Sequence, residues 1–512
     1  MTPASPAHRR ARWILASILA LALALRLVAI FLFPSLNHAD EAFQLFEPAH
    51  RLAFGWGART WEFQDGLRSM VAPAVLAGIF RLAAPIVGGP TGYIDAARLA
   101  CALLSLLPIV FIWRMGAREG RVHAILAALA AAAWFEIVYF SIRPLTEALA
   151  CDFALVALAL ASPPSRPLTP RALAGLGLCL ALTVLLRLQL APGAALIALA
   201  VARLQVRRRW APLLAGALPA LVVFGAADWL AWGAPFASYF RAIAVNLGAG
   251  RASAYGVQPW SWYLILIAAI WGPFAIAAIA LAAVRLRRSW LWIAFAAIEL
   301  LVHSLIPHKE YRFVYPALAV LVIAAALGAA DLVTRFGPRI AGVRPAWLTG
   351  AVAAAWLLTS LALAVAPEYR GEWRRSSAVL ESEAWLSRQP ALCGVLFYDS
   401  AWFETGGYAF LHRRAPLYFP VYAMVVDRGA LDWPPDLAAD RRLVRQDGSA
   451  YDFVVARPAS VADFRPAFSL ARCFGGGDDA VCVLSRPGAC RPGLWPSILE
   501  AKRLGEPLDS RH

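Results

Sequence analysis

Three short stretches of the chain gather the residue types that do chemistry. After His38 come the adjacent carboxylates Asp40 and Glu41, then Glu47, His50, Glu62 and Asp65, interleaved with Trp56, Trp61 and Phe63. Adjacent carboxylates at a membrane boundary suit general-base work, because partial desolvation raises a carboxyl pKa towards neutrality. Aromatic rings beside carboxylates also suit sugar recognition: the rings cover apolar sugar faces and the carboxylates accept hydroxyl hydrogen bonds. An ordinary interfacial belt has a similar composition, so these residue types alone leave both readings open. The second stretch is Tyr255-Gly256-Val257-Gln258-Pro259-Trp260-Ser261-Trp262-Tyr263. The third is His308-Lys309-Glu310-Tyr311-Arg312-Phe313, which sets several donors around one carboxylate. Lys and Arg bind phosphate well, so a lipid phosphate is one ligand for this stretch, with Arg143 and Arg187 available to join. A local salt-bridged turn on Glu310 is the other reading.

The elements that must hold these residues are membrane spans. The chain is 61% hydrophobic and 16% charged, against roughly 45–50% and about 25% for soluble domains. That excludes disorder and a single soluble domain. With about 20 apolar residues needed per span, the candidates are 13–33, 94–113, 122–140, 145–161, 172–186, 188–202, 211–231, 260–284, 289–306, 312–334 and 346–366. The split within 172–202 follows Arg187, Gln189 and Pro192. The stretch 70–88, with Arg81 and two prolines, is expected to lie in or half-enter the outer interface.

Charge placement supports that count. With the N-terminus cytoplasmic, the inner segments hold eighteen arginines: Arg9, Arg10, Arg12, Arg114, Arg118, Arg121, Arg166, Arg171, Arg203, Arg207, Arg208, Arg209, Arg285, Arg287, Arg288, Arg335, Arg339 and Arg344. Only Glu119 and, at a span edge, Asp331 oppose them. A spanning 70–88 would turn most of these arginines outward, against the positive-inside rule. The formal charge of +16 is therefore an orientation signal, and the other thirty basic and thirty acidic residues cancel. No nucleic-acid surface is implied.

Within the spans, five charged residues stand out: Arg26, Glu136, Asp152, Asp228 and Glu299. All fall in the outer halves of their helices, as a polar cavity opening outward would require, although each alone is equally a helix-paired residue. Residues 367–512 read as a folded outer domain, with strands expected in CGVLFYDS, YDFVVARP and AVCVLSRP. Cys393, Cys473, Cys482 and Cys490 lie there on the oxidising side, and their pairing is not deducible. Cys101, Cys151 and Cys179 read as small apolar fillers, Gly475–Asp479 as a flexible turn, and Pro163, Pro164, Pro167 and Pro170 as a cytoplasmic connector. No ligand set has zinc spacing.

At these residues the sequence resembles the Alg9-like or GPI mannosyltransferases, glycosyltransferase family 22. The resemblance rests on His38-Ala-Asp40-Glu41-Ala-Phe43-Gln44, Glu47-Pro48-Ala-His50, Gly55-Trp-Gly57, Thr60-Trp61-Glu62 and Leu67-Arg68-Ser69, followed in order by the Tyr255 and His308 stretches. It covers roughly residues 13–335. It implies a GT-C membrane fold with a non-cytoplasmic active site, and transfer of mannose from a polyprenyl-phosphate carrier to a glycan hydroxyl, usually giving an α-linkage with inversion. By that resemblance Asp40 is the general base and Glu41 assists it or binds acceptor. His308, Lys309 and Arg312, with Arg143 and Arg187, would hold the carrier phosphate. Glu47, His50, Trp61, Glu62, Arg68, Tyr255 and Trp260 would meet sugar or acceptor. Neither metal nor cofactor is required by that scheme. Val257-Gln258 departs from the Thr-His frequent in the family, so that histidine's role does not transfer.

The expected protein is thus an all-α polytopic membrane protein of GT-C fold with about eleven transmembrane helices. It comprises a catalytic module over 1–366, with 34–93 as first outer loop, and a mixed α/β extracytoplasmic domain over 367–512. The Ala- and Arg-rich composition looks bacterial, which points to the inner (plasma) membrane. The partners expected are a polyprenyl-phosphate sugar, a glycan or glycolipid acceptor and the bilayer. A flippase or transporter for lipid-linked saccharide is the alternative, and a non-catalytic lipid-carrier scaffold a third. A transporter would need broken helices at the midplane, for which the pair within 172–202 is the only hint.

Overall fold

The structure, a computed structural model, describes residues 6–162, 168–339 and 345–420, then 441–442, 445, 448–488, 490–491, 497–499, 501 and 504–505. Arg166, Arg344, Pro163, Pro164 and Pro167 lie outside the described residues. The chain divides into two compact units. One holds the residues up to Leu32, Arg98–Ala226 and Gly256–Gly371; the other holds Phe33–Ala97, Ala227–Tyr255 and the residues from Glu372 on. The C-terminal segment expected to begin at 367 therefore shares its unit with the first loop.

All eleven apolar stretches form helix, as backbone groups in lipid require. Among the described residues, five helices are long and apolar enough to cross a membrane: Arg9–Leu32, Gly89–Ala117, Val206–Trp232, Tyr311–Arg339 and Pro345–Val365. Two bent pairs bring the number to seven: Arg121–Ala133 with Phe135–Ser141, bent by 54°, and Trp262–Trp271 with Pro273–Val284, bent by 103°. Four shorter helices complete the eleven: Thr146–Ala161, Pro170–Leu186, Leu188–Ala202 and Trp290–Leu305. The Pro170–Leu186 helix stops where Arg187 turns extended, and Pro192 opens the next helix, as the sequence suggested.

The helix Tyr311–Phe336 is the buried centre of the helical unit. Its Ala- and Gly-rich face lets neighbours approach closely, which is how helices associate without a hydrophobic driving force. At Gly328 a Cβ would stand 1.8 Å from the Leu281 carbonyl oxygen, so any larger residue would push the two helices apart.

The intramembrane charges are bound up in helix-to-helix contacts. In the helical unit Arg26 donates to Ser105 Oγ at 2.7 Å and to the carbonyls of Ala22 and Ala132 at 3.0 and 2.9 Å, within electrostatic reach of Asp152. Glu136 accepts from Trp134 Nε1 at 2.9 Å, Trp271 Nε1 at 3.0 Å and the Tyr311 hydroxyl. Glu299 accepts from the Gly193 amide at 3.0 Å. Asp228, in the other unit, accepts from Ser238 N and Oγ at 2.9 and 2.6 Å. All five are buried. The cost of desolvating a charge is met by pairing, so the pattern read as an open polar cavity is largely internal bonding.

In the second unit, first loop and C-terminal segment share one core. Phe43, Phe46, Phe80 and Tyr93 pack with Val395, Phe397, Tyr408 and Phe410. The helix Val71–Val87 belongs here, burying Pro73, Leu76, Ala77 and Phe80 while Val75, Leu82 and Ile86 stay exposed. The five-stranded sheet comprises β1 (Val395–Phe397), β2 (Leu417–Tyr418), β3 (Phe453–Ala456), β4 (Ser469–Phe474) and β5 (Val481–Ser485), in the order β2-β1-β3-β5-β4. β1 runs parallel to β2 and β3; β3–β5 and β5–β4 are antiparallel. The three expected strands are β1, β3 and β5. β4 carries no apolar run because it is an exposed edge, and Gly475–Asp479 turns it into β5. Disulfides join Cys393 to Cys490 and Cys473 to Cys482, while Cys101, Cys151 and Cys179 are free.

Candidate active site

The first loop leaves its span and enters a wide π-helical turn, Glu41–Phe46, which runs into the helix Glu47–Phe54. Such turns are rare and occur frequently at functional sites. Asp40 stands at the head of this turn, and the environments of the two adjacent acids are opposite. The Glu41 side chain is fully buried, with Oε2 accepting the Asn37 amide at 2.9 Å. The Asp40 side chain is 21% exposed, with Oδ1 3.5 Å from His38 Nδ1. Of the pair, Asp40 is the carboxylate a substrate can reach.

From the same turn Gln44 donates to Glu62 Oε2 at 2.9 Å, and Arg68 forks onto Glu62 Oε1 at 3.1 and 2.6 Å. Trp61 Nε1 donates to the Tyr255 hydroxyl at 3.0 Å, which donates on to the Gly505 carbonyl at 2.9 Å. Burial of this hydroxyl, then the negative charges of Glu62 and Asp40, raise its pKa above the usual phenol range, so it remains a donor. The structure thus brings Asp40, Glu62, Arg68, Trp61 and Tyr255 into one neighbourhood. The Trp61 ring is buried and Tyr255 is 43% exposed.

Glu47 and His50 face the C-terminal segment and are fully buried. Glu47 accepts the amides of Ala58 at 3.0 Å and Ala409 at 2.8 Å. Burial outweighs those bonds and pushes its carboxyl up to about 8. His50 Nδ1 lies 3.0 Å from the Trp56 carbonyl and Nε2 lies 2.9 Å from His412 Nδ1. Burial, then the neighbouring His412, lowers His50 to about 3. Glu383, which sequence reasoning missed, is buried beside them and accepts the Gly406 amide at 2.9 Å; burial raises its carboxyl well above the usual range. The Gly406-Gly407 pair was its one sequence signal, a turn that offers amides.

The basic residues gather in the helical unit. The break at Arg187 and the extended segment between Leu305 and Tyr311, where Pro307 stops the helix, free these side chains from helical register. Glu147 Oε1 is shared by Arg187 Nη2 at 3.2 Å and Arg312 Nη1 at 3.1 Å. Arg312 Nε also donates to Glu310 Oε2 at 2.6 Å, and His308 Nε2 lies 2.9 Å from Glu310 Oε1. Since His308 Nδ1 faces the Gly256 carbonyl at 3.0 Å, both ring nitrogens meet acceptors. Burial opposes protonation, but these bonds outweigh it and raise the His308 pKa, favouring the imidazolium. The guanidiniums of Arg187 and Arg312 stand over the Phe313 ring at 4.7 and 5.1 Å. Two guanidiniums and an imidazolium thus share the two carboxylates of Glu147 and Glu310.

Lys309 turns to the Ile306 carbonyl, and Arg143 stacks over Tyr139 at 4.0 Å. The second motif is bonded to the third through Gln258 N to Pro307 O, at 3.0 Å. Trp260 belongs to this unit and is 68% exposed. Glu147, which organises the arginines, was missed in sequence because it looks like an ordinary acidic first turn of Thr146–Ala161.

Among the described residues, two clusters have donors close enough for a metal ion, and neither includes these residues. In Cys393–Asp452–Cys490 the sulfurs are already bonded to each other. In Glu119–His123–Asp331 the guanidinium of Arg285 fills the cation's place, 2.6 and 2.7 Å from Glu119 and 2.9 Å from Asp331.

Comparison with known proteins adds to this geometry. Residues 17–372 match the model of the Alg9-like mannosyltransferase family. A GPI mannosyltransferase 3 of Yarrowia lipolytica is 29% identical over 399 residues, 74% of this chain and 72% of that protein. The Drosophila melanogaster GPI mannosyltransferase 3 is 27% identical, over 58% of this chain and 53% of its own length. The Mus musculus GPI alpha-1,2-mannosyltransferase 3 is 28% identical, over 61% and 58%. The chain thus spans little more than half of the latter two. Among solved structures, ArnT from Cupriavidus metallidurans bound to undecaprenyl phosphate superposes with a TM-score of 0.58 at 14% identity, over 93% of this chain and 99% of that one. At that identity the likeness speaks to the fold, which is the GT-C fold.

Proposed function

As the chain belongs to the Alg9-like mannosyltransferase family, we propose that it transfers a mannosyl residue from a polyprenyl-phosphate carrier to a glycan or glycolipid hydroxyl, with inversion. The observation that carries this reading is the pairing of a reachable Asp40 with a buried Glu41 on the π-helical turn. Asp40 takes the proton of the acceptor hydroxyl as its oxygen attacks the anomeric carbon. The bond from that carbon to the carrier phosphate breaks on the opposite face, and its electron pair stays on the phosphate oxygen. In the helical unit, Arg187, Arg312 and His308 supply cations of the kind that bind a carrier phosphate. Glu62, held by Gln44 and Arg68, and the exposed Tyr255 receive the acceptor. Glu47 and His50 support the site from behind by pinning the first loop to the C-terminal segment.

The chain is a multi-pass membrane protein. We place it in the inner (plasma) membrane with a cytoplasmic N-terminus and an extracytoplasmic site, because the eighteen arginines then lie inside. The relatives named for mannose transfer, and the carrier lipid bound by ArnT, support mannose and a polyprenyl phosphate as donor parts. The test uses purified full-length protein, radiolabelled polyprenyl-phosphate-mannose and a panel of mannosyl acceptors. Mannosylated product is expected from the wild type and none from Asp40→Asn. Vectorial movement of the lipid without product would replace this reading with the transporter, and an active Asp40→Asn would remove the base.

A further inference from the structure

We propose that the Cys393–Cys490 bridge is a thiol–disulfide exchange site, with Asp452 as its proton carrier and a dithiol as its reaction partner. This stands apart from mannosyl transfer and concerns the C-terminal segment. The surroundings of the two disulfides differ. Cys473 and Cys482 face each other across β4 and β5, where strand pairing already holds them together. Cys393 and Cys490 lie outside the strands, before β1 and beyond β5. Both are partly exposed, so an attacking sulfur can reach them. Asp452 is 3% exposed and its carboxyl is aimed at this second bridge. Oδ1 lies 3.8 Å from Cys490 Sγ and accepts the amides of Cys393 at 3.1 Å and Gly394 at 3.0 Å. The parallel register of β1 with β3, Val395 opposite Phe453, brings the residues before them level and sets this contact. Capping two amides does not require a carboxyl, since an asparagine carbonyl would serve as well. What the carboxyl adds beside a sulfur is a place for a proton.

The charged group nearest this carboxyl is Arg486, just past β5, whose guanidinium donates to the Tyr451 carbonyl at 3.0 Å. Burial raises the Asp452 carboxyl above its usual range, against the two amides and Arg486. In reduction, a thiolate of the dithiol attacks Cys393 Sγ and forms a mixed disulfide as the bond between the two cysteines breaks. The electron pair of that bond stays on Cys490 Sγ, which takes the proton of the Asp452 carboxyl. The second thiolate of the dithiol then attacks its partner sulfur and releases Cys393, which is protonated from water. The dithiol leaves as a disulfide, both cysteines become thiols, and Asp452 regains its proton from water. In the reverse direction the Asp452 carboxylate takes the Cys490 thiol proton, so that the thiolate can attack. Beyond Cys490 the chain carries Ile498, whose amide donates to the Leu417 carbonyl at 3.1 Å, and Leu504, whose carbonyl accepts the Trp61 amide at 3.0 Å. An open bridge lengthens the free chain ahead of both contacts.

The experiment treats oxidised full-length protein in detergent with dithiothreitol, from about pH 5 to about pH 8, across the range of a raised carboxyl. Differential alkylation and peptide mass spectrometry follow each bridge separately, and rates are divided by the dithiothreitol thiolate concentration. In wild type the Cys393–Cys490 rate should be highest at the acid end and fall about tenfold as Asp452 loses its proton. Asp452→Asn keeps an oxygen for the two amides and has no proton to give. Its rate should be flat with pH and about tenfold below wild type at the acid end. Cys473–Cys482 should open at the same rate in both proteins, which also reports that the variant is folded. A flat wild-type profile overturns the exchange site whatever the variant does. An Asp452→Asn rate within about twofold of wild type at the acid end overturns it as well. Neither readout uses mannosyl transfer, so failure of the transferase reading leaves this test intact.

Discussion

His50 Nε2 and His412 Nδ1 face each other at 2.9 Å across 362 residues of sequence. Because His50 Nδ1–H donates to the Trp56 carbonyl, its Nε2 is an acceptor, and His412 must be the donor. The bond holds only while the His50 ring is neutral, because a protonated His50 would turn a second N–H towards the donor of His412. His50 titrates near 3 in the fold against 6.5 for a free histidine, and burial lowers His412 as well. Between those values the unfolded chain binds more protons than the folded one, so this contribution is intact above pH 6.5 and is lost as the pH falls towards 3. Glu47, raised from 4.5 to about 8, works in the other direction, losing stability as the pH rises through that range. The His50 part is isolated by difference: from pH 7 to pH 5, wild type should lose more thermal stability in detergent than His50→Asn.

Asp40 and Glu41 should separate in kinetics. Asp40→Asn is expected to lower kcat by about 100-fold to 10,000-fold, the usual worth of a positioned general base. Glu41→Gln keeps an oxygen for the Asn37 amide and should lose less than about tenfold. Turnover of both, at matched folded fractions, checks the assignment; equal losses would shift the base to the pair.

Arg312 bridges two carboxylates that both need a partner. Arg312→Ala leaves Glu147 and Glu310 short of one cation and should cost about 3–5 kcal/mol in unfolding. Arg312→Lys restores charge without the fork and should recover much of the stability, while the donor KM stays about tenfold raised. A lysine variant with normal donor KM would show that charge alone suffices.

The two disulfides close loops of very different size, 97 and 9 residues in separation. Chain entropy predicts a loss of about 4–5 kcal/mol for Cys393→Ser and about 2–3 kcal/mol for Cys473→Ser. Chemical denaturation of the two variants under oxidising conditions compares them directly.

What was legible in the sequence is what is local. Apolar length marked the eleven helical stretches, the break at Arg187 followed from its own polarity and Pro192, and three strands announced themselves by apolar runs between turns. β4 did not, because an exposed edge strand has no buried face to pattern it. The site residues stood out by type, but their partners did not. Glu147 gains meaning only from two arginines 40 and 165 positions away. Glu47 and His50 carry the composition of a sugar site and are buried by a segment that begins more than three hundred residues later. Burial by a distant segment leaves no mark on local composition.

The carboxylate of Glu136 has a consequence for how the chain is made. Trp134 emerges from the ribosome with it, but Trp271 follows 135 residues later and Tyr311 175 residues later. At about 5–20 residues per second, Glu136 waits roughly 7–27 seconds for its second donor and 9–35 seconds for its third. A helix carrying an unsatisfied carboxylate does not settle into lipid on its own. Phe135–Ser141 must therefore stay beside the translocation machinery, or against water, until Tyr311 has been synthesised, so the order of synthesis sets the order in which this bundle closes.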